Sequence, residues 1–258
     1  MTNQKIKPYY IDINCDLGEG ETVAGCEKDA LVMPYISSCN IACGGHAGND
    51  LTMNESVKNA LSYQLKIGAH PSYPDKENFG RRSISIPLDK LKQSIQFQID
   101  SIKDIANNKD AQLNHIKFHG ALYNDVESNE LMAFELASFC LNEYPNIKLM
   151  GLSNGSLKQA CEKLDIDFIS EGFIDRRYLS NGLLAPRTQQ RSVIENPELA
   201  IKQAINLATN QAITTIEGEL IRPTVNSICL HGDNPNVISI AKKLHHSMSE
   251  ANIILLRK

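Results

Sequence analysis

Four histidines and one aspartate hold the same relative place in this chain. Each follows a short apolar strand and stands at a turn. They are Asp16, His46, His70, His119 and His231. The stretch Ser38–Gly48 shows the construction: it begins as a strand and ends in Gly44-Gly45-His46-Ala47-Gly48. Glycines at such a turn let the backbone come close to a ligand, and a histidine there is aimed from a strand end. The runs themselves have two faces. In Tyr9–Asp16, Asp12, Asn14 and Asp16 fall on one face and Ile11, Ile13 and Cys15 on the other. In His115–His119 the polar face is His115, Lys117 and His119, and in Asn226–His231 it is Ser227, Cys229 and His231.

Helical patterns separate these strands. Leu88, Leu91, Ile95, Ile99 and Ile102 recur at helical spacing. Thr52-Met53-Asn54-Glu55 has the spacing of a capping box, predicting a helix from there to about Lys66. Ser128 is the expected cap of a helix with the stripe Leu131, Phe134, Ala137 and Leu141, after a flexible turn at Gly120-Ala121. Further strands are expected at Ile67–His70, Ile147–Leu152 and Asp167–Glu171, and a helix with Leu157, Ala160, Cys161 and Leu164 lies between the last two. Asn196-Pro197 and Asn234-Pro235 each pair a capping amide with a proline at a helix start. Asn252–Leu256 is a last strand, closing or flanking the sheet.

Strand–helix alternation from end to end indicates α/β with a parallel sheet. In an open parallel sheet both faces are covered by helices and strands read as continuous apolar runs. The two-faced strands favour a closed barrel whose lumen takes the polar face. The expectation is one β/α-barrel domain spanning 1–258, with functional groups at the carboxyl ends of its strands.

A net charge of −4 without a Lys/Arg run argues against nucleic-acid binding. No signal peptide and no membrane-length apolar run are seen, so the seven cysteines are expected to be reduced thiols in the cytoplasm. An aspartate with several histidines suits a divalent metal, for which Asp16, His46 and His70 are the candidates. The same set suits metal-free proton transfer, and the residues alone leave both open. Cys39, Cys43 and His46 do not form a zinc finger, because four residues of extended strand span about 13 Å. His115 is expected to be structural, and His245 and His246 solvated. Lys117 is either a lumen ion pair with Asp12 or Asp16, or a cation beside a developing oxyanion. Arg81-Arg82, Arg176-Arg177 and Arg187 lie in two long loops, as solvated charges or as a carboxylate or phosphate clamp. Neither a Walker A segment nor a nucleophile elbow is present.

Six blocks, in order along nearly the whole chain, carry a resemblance. They include Asn14-Cys15-Asp16-Leu17-Gly18-Glu19-Gly20, Cys39–Gly48, and Ile67–Asp75 with Phe79-Gly80-Arg81-Arg82. The others are His119-Gly120-Ala121-Leu122-Tyr123-Asn124, Glu171-Gly172-Phe173 with Asp175-Arg176-Arg177-Tyr178, and Cys229-Leu230-His231-Gly232-Asp233. Together they resemble the LamB/YcsF family. The resemblance implies a seven-stranded barrel related to glycoside hydrolase and deacetylase barrels. It also implies service as the A subunit of a 5-oxoprolinase that, with B and C subunits and ATP, opens 5-oxo-L-proline to L-glutamate. Two positions depart from the family pattern: Phe118 stands in place of proline, and Gln190-Arg191-Ser192 in place of Pro-Gly-Ala.

On this reading His70 and His119 are acid–base groups, Asp16 orients one of them or binds a metal, and Lys117 stabilises an oxyanion. Asn14, Asn40, His46 and His231 meet the substrate, with Arg82 or Arg177 on its carboxylate. The alternatives are a metal-dependent carbohydrate deacetylase and a non-catalytic scaffold for the other two subunits.

Overall fold

The computed structural model describes residues 7–257 except Asp233 and Pro235. The elements follow in order as β1 (Tyr9–Leu17), α1 (Val23–Ala30), β2 (Ser38–Ala42), α2 (Asp50–Ser62), β3 (Lys66–His70) and α3 (Leu88–Asn107). Next are β4 (Leu113–Lys117), α4 (Gly120–Ser128), α5 (Glu130–Glu143), β5 (Lys148–Leu152), α6 (Ser156–Leu164) and β6 (Phe168–Phe173). The chain finishes with α7 (Pro197–Ala208), a small hairpin of β7 (Ile213–Thr214) and β8 (Leu220–Ile221), then β9 (Ser227–Leu230), α8 (Val237–Glu250) and β10 (Ile253–Leu255). Seven parallel strands run β1-β2-β3-β4-β5-β6-β9, and β9 pairs with β1 as well as β6, closing the barrel. The strand Asn252–Leu256 is realised as β10, which pairs with Tyr9–Ile11 at the start of β1 and so flanks the barrel.

The alternation along β1 has the expected consequence. Ile11, Ile13 and Cys15 are buried under the helices, while Asn14 and Asp16 join side chains from other strands across the lumen. The apolar layer between barrel and helices includes Leu91, Ile95, Ile99 and Ile102 of α3, the predicted stripe. Phe118 belongs to this layer too.

The structure corrects several local expectations. Asn49 caps α2: its side chain accepts from the Thr52 N–H, and Thr52 Oγ1 accepts from the Asn49 N–H. Thr52 is therefore the third residue after the cap, and the helix stops at Ser62 because Lys66 is already in β3. Gly120-Ala121 opens α4, a helix that has no marker in the sequence pattern, and Ser128 ends it; Asn129 caps α5 by accepting from the Met132 N–H. The buried face of α5 is Ala133, Leu136, Ala137 and Cys140, whereas Leu131 is 81 % and Phe134 42 % exposed. Small residues on that face bring α5 close to its neighbours, so the larger apolar side chains point outward. Asn196 caps α7 as expected, with Pro197 at its first position. Asn234 Oδ1 accepts from the Asn236 N–H, α8 begins at Val237, and Pro235 lies outside the described residues. β6 runs on to Phe173, two residues beyond the expected Glu171.

All seven cysteines are free and buried. Among the described residues no helix is long and apolar enough to cross a membrane.

Candidate active site

The polar strand faces meet at the carboxyl end of the barrel. β1 supplies Asp16, β4 supplies Lys117 and β6 supplies Glu171. The Lys117 ammonium lies 2.9 Å from Asp16 Oδ1 and 2.8 Å from Glu171 Oε1. It also donates to Asn14 Oδ1 and stands 3.2 Å from Cys229 Sγ. Burial is the strongest influence on Lys117 and would lower its pKa, but the charges of Asp16 and Glu171 outweigh it and hold the pKa well above the usual value. Asp16 mirrors this: burial pushes its pKa up, and His70 with Lys117 brings it well below the carboxylate range. Both groups are therefore charged at neutral pH. Of the two pairings expected for Lys117, that with Asp16 is found; Asp12 pairs with Lys66 at 3.5 Å instead.

Asn14 and Asn40 do not reach the cavity. Both are fully buried beneath it, where Asn40 Nδ2 donates to Asn14 Oδ1 and Asp16 Oδ1, and Asn14 Nδ2 donates to Glu171 and Ser227. His115 Nε2 lies 2.6 Å from Asn40 Oδ1, and burial followed by Lys117 lowers its pKa to about 3. These residues hold Asp16 and Lys117 in place from below.

One wall is imidazole. His46, His70 and His119 gather from the ends of β2, β3 and β4, together with Glu19 from the end of β1. His46 stacks on His119 with ring centroids 3.6 Å apart and 4° between planes. His119 Nδ1 faces His70 Nε2 at 3.0 Å, and His70 Nε2 is also 3.4 Å from Asp16. Burial first, then neighbouring histidines, keeps the pKa of His46 and of His119 well below the usual imidazole value. Two glycines permit this crowding. A side chain on Gly80 would meet the His46 Cβ at 2.9 Å, and one on Gly120 would meet the Gly80 carbonyl at 2.5 Å, where Ala121 N–H now bonds.

The opposite wall comes from β6, β9 and the loop between β6 and α7. His231 Nδ1 is 2.7 Å from Asp175 Oδ1, Phe173 stacks on the His231 ring, and Arg187 Nη2 is 3.2 Å from His231 Nε2. Burial raises the Asp175 pKa, but His231 and the two arginines Arg187 and Arg176 outweigh it, so the carboxyl stays below its ordinary value. Arg81, Arg176 and Arg187 line the cavity, whereas Arg82 is exposed outside it and Arg177 faces a separate groove. The expected residue of each arginine pair is thus one position too late, because turns after a strand end break the two-residue periodicity. Arg191, in the segment that departs from the family pattern, has φ 66°, the left-handed region that glycine favours.

Between the walls lies a cavity of about 580 Å³ lined by Asp16, Glu19, His70, Lys117, His119 and His231 among others. His46 stands behind His119. The residues overlooked in the sequence are Glu19, Tyr123, Glu127, Glu171 and Asp175. Tyr123 donates to Glu171, and Glu127 accepts from the Leu152 and Leu157 N–H groups, while burial pushes its pKa to about 8. Glu171 was legible, because it ends an alternating strand; Asp175 carried no signal beyond its place beside Arg176. Among the described residues two groups are spaced to hold a metal ion: Glu19 with His46, His70 and His119, and Asp16 with Cys229 and His231. Of the three metal candidates, His46 and His70 fall in the first group and Asp16 in the second.

Fold and site define a β/α-barrel protein with an imidazole–carboxylate centre at the strand ends. The sequence profile of the LamB/YcsF family matches residues 11–257, and the chain belongs to that family. It is 35 % identical over 244 residues to the 5-oxoprolinase A subunit of Bacillus cereus (strain AH187), covering 94 % of this chain and 96 % of the relative. It is 36 % identical over 243 residues to the protein of that name from Haemophilus influenzae (strain PittEE), covering 94 % and 97 %. Among solved structures, the lactam utilization protein of Thermus thermophilus superposes with a TM-score of 0.87 at 26 % identity, over 96 % of this chain and all of that one. A GH20 catalytic module of the pneumococcal exo-β-D-N-acetylglucosaminidase StrH shares the barrel alone, with a TM-score of 0.51 at 10 % identity, over 95 % and 85 %.

Proposed function

We propose that this chain, acting as one barrel domain, is the A subunit of a 5-oxoprolinase that opens the lactam of 5-oxo-L-proline to L-glutamate. The observation that carries the reading is its match, over more than nine-tenths of its length, to proteins named as the 5-oxoprolinase A subunit. The B and C subunits are its partners, ATP is consumed in the complex, and phosphoryl transfer to the lactam oxygen belongs to those other subunits. A cytoplasmic setting fits the seven free thiols.

The cavity suits such a substrate. A five-membered lactam is a poor electrophile; phosphorylating its oxygen creates an activated carbon that water attacks. Lys117, fixed as a cation by Asp16 and Glu171, stands beside the oxygen that gains negative charge. Asp16, held ionised on the same floor, orients the attacking water. Asp175 holds the His231 Nδ1–H, leaving Nε2 to pass the protons of that water to the ring nitrogen as the carbon–nitrogen bond breaks; this leaves an acyl phosphate, from which a second water releases phosphate to give L-glutamate. Arg176, buried, with its Nε lacking a hydrogen-bond partner, is placed to hold the substrate carboxylate in the role assigned from sequence to Arg82 or Arg177. His70, His119 and Glu19 close the other side. A divalent metal, if bound by that wall, would polarise an oxygen of the substrate.

The test is glutamate formation from 5-oxo-L-proline and ATP with each subunit omitted in turn. All three subunits should be needed. Robust formation by this chain alone would overturn the division of labour, and no formation by the full set would overturn the reading.

A further inference from the structure

The imidazole wall contains a contradiction that a neutral protein cannot resolve. His70 Nδ1 lies 2.8 Å from the Lys117 carbonyl, so Nδ1 carries the hydrogen and Nε2 a lone pair. His119 Nε2 lies 3.0 Å from the Phe79 carbonyl, so Nε2 carries the hydrogen and Nδ1 a lone pair. These two lone pairs face each other at 3.0 Å. Asp16 and Glu19 stand around them, with Glu19 Oε1 3.7 Å from His119 Nδ1. The arrangement calls for a positive charge between the nitrogens.

His46 supplies a second, independent observation. It is 2 % exposed, yet neither ring nitrogen makes a hydrogen bond, although Nε2 stands 3.3 Å from Glu19 Oε1 at an angle outside hydrogen-bond geometry. Leaving a buried polar nitrogen without a partner is costly. One donor atom from each of Glu19, His46, His70 and His119 lies within 4.8 Å of all the others.

We propose that Glu19, His46, His70 and His119 bind one divalent transition-metal ion, zinc being the best match to three imidazoles and one carboxylate. Donors on a tetrahedral zinc stand about 3.3 Å apart, given zinc–nitrogen bonds near 2.0–2.1 Å. The separations of 3.0, 3.3 and 3.7 Å in the wall bracket that value. Carbonyl acceptors on the second nitrogen of His70 and of His119 are the usual means of fixing a ligand imidazole's tautomer and direction. Harder ions such as magnesium and calcium prefer all-oxygen sets. The Asp16, Cys229 and His231 group is the weaker site, since the Lys117 ammonium lies 2.9 Å from Asp16 and 3.2 Å from the Cys229 sulfur. The competing occupant of the wall is a proton held between His70 and His119.

The metal site does not depend on the reaction assigned above. It is tested on the full chain, purified without chelator, by elemental analysis, and then on stripped protein titrated with zinc against a chromogenic chelator. One zinc per chain is expected. His46→Ala and Glu19→Gln should each weaken zinc binding at least 10-fold, and His246→Ala, an exposed histidine on α8, should leave it unchanged. Glu19 sits at the partly exposed rim, so its variant should melt like the parent without metal, which separates lost ligation from lost folding. Failure of the parent chain to bind zinc stoichiometrically, as a shared proton would give, overturns the proposal. Parent-like affinity in either variant overturns the ligand set. Zinc binding without glutamate formation by the complex would instead count against the reaction, and glutamate formation by metal-free complex would count only against a catalytic use of the metal, leaving the site itself to the binding test.

Discussion

The barrel lumen holds two polar layers built from the same kinds of residue, and they differ in how completely their groups are satisfied. In the lower layer Asp12 accepts from Ser38 and Ser227 and pairs with Lys66. Asn14, Asn40 and His115 are linked to one another or to neighbours at every side-chain oxygen and donor group the structure places there. In the upper layer two imidazole lone pairs face each other, His46 makes no hydrogen bond, and a buried arginine nitrogen is unpartnered. Burying polar groups without partners costs free energy. A chain that does so at the strand ends, and not four residues deeper, reserves that end for something the fold alone does not supply.

The contrast is broken most directly by removing one histidine from each layer. His119→Ala should lower glutamate production by the assembled complex about 100-fold, because it removes a cavity-lining imidazole and one of the four proposed metal ligands. Its stability cost should be about 1–2 kcal/mol, since it forfeits one carbonyl bond. His115→Ala, on the same strand face, should leave the rate per folded molecule near normal and cost about 2–3 kcal/mol in urea melts, because it opens a void and strands Asn40. Loss of turnover in folded His115→Ala with near-normal turnover in His119→Ala would put the chemistry at the other end of the barrel.

Gly68→Ala sharpens the lower layer. A Cβ there would lie 2.2 Å from His115 Nε2, with the ring in the space that glycine leaves. Overpacking should cost about 1–3 kcal/mol in thermal melts, with turnover retained at temperatures where the protein is folded. An unchanged melting temperature would mean that the lower layer is slack.

Acid should act on both layers unequally. His46 and His119 above and His115 below all have folded pKa values beneath the ordinary imidazole value, with burial the first cause in each. The unfolded chain then binds more protons than the folded one as pH falls below about 6.5, so stability drops with falling pH. Each histidine contributes a slope of up to about 1.4 kcal/mol per pH unit. Metal-free protein melted in urea from pH 7 to pH 5 should weaken steadily, and His46→Ala should flatten the slope more than it changes stability at pH 7.5. A stability that rises as pH falls across this range would show that the wall is protonated already, and a flat one that its folded and unfolded histidines take up protons alike.

How much of this was legible without tertiary structure differs from element to element. Strand positions, the barrel and the polar lumen came from period-two alternation, a local property: Asp12, Asn14 and Asp16 must share a face in any strand. The strand-end histidines came from the strand-then-turn pattern: His70, His119 and His231 line the cavity, and His46 stacks behind His119. The misses lie where local rules stop. Asn129 and Ser128 are both able caps, and only the turn out of α4 selects Asn129. On α5 Leu131 and Phe134 look like core, but the face that packs is the one whose small residues allow close approach.

By itself the sequence determined the alternation of strand and helix, the inward face of each strand and the family to which the chain belongs. These follow from backbone periodicity and from residue identity in order, and neither needs a neighbour from elsewhere in the chain. Tertiary structure alone decided that Lys117 pairs with both Asp16 and Glu171, that Asp175 serves His231, that Arg176 and not Arg177 lines the cavity, and that Glu19 joins the histidines. The reason is closure. Side chains from β1, β4, β6 and β9 meet only once the sheet has curled so that β9 pairs with β1, and the loops that bring Asp175 and the arginines have no period from which their direction can be read.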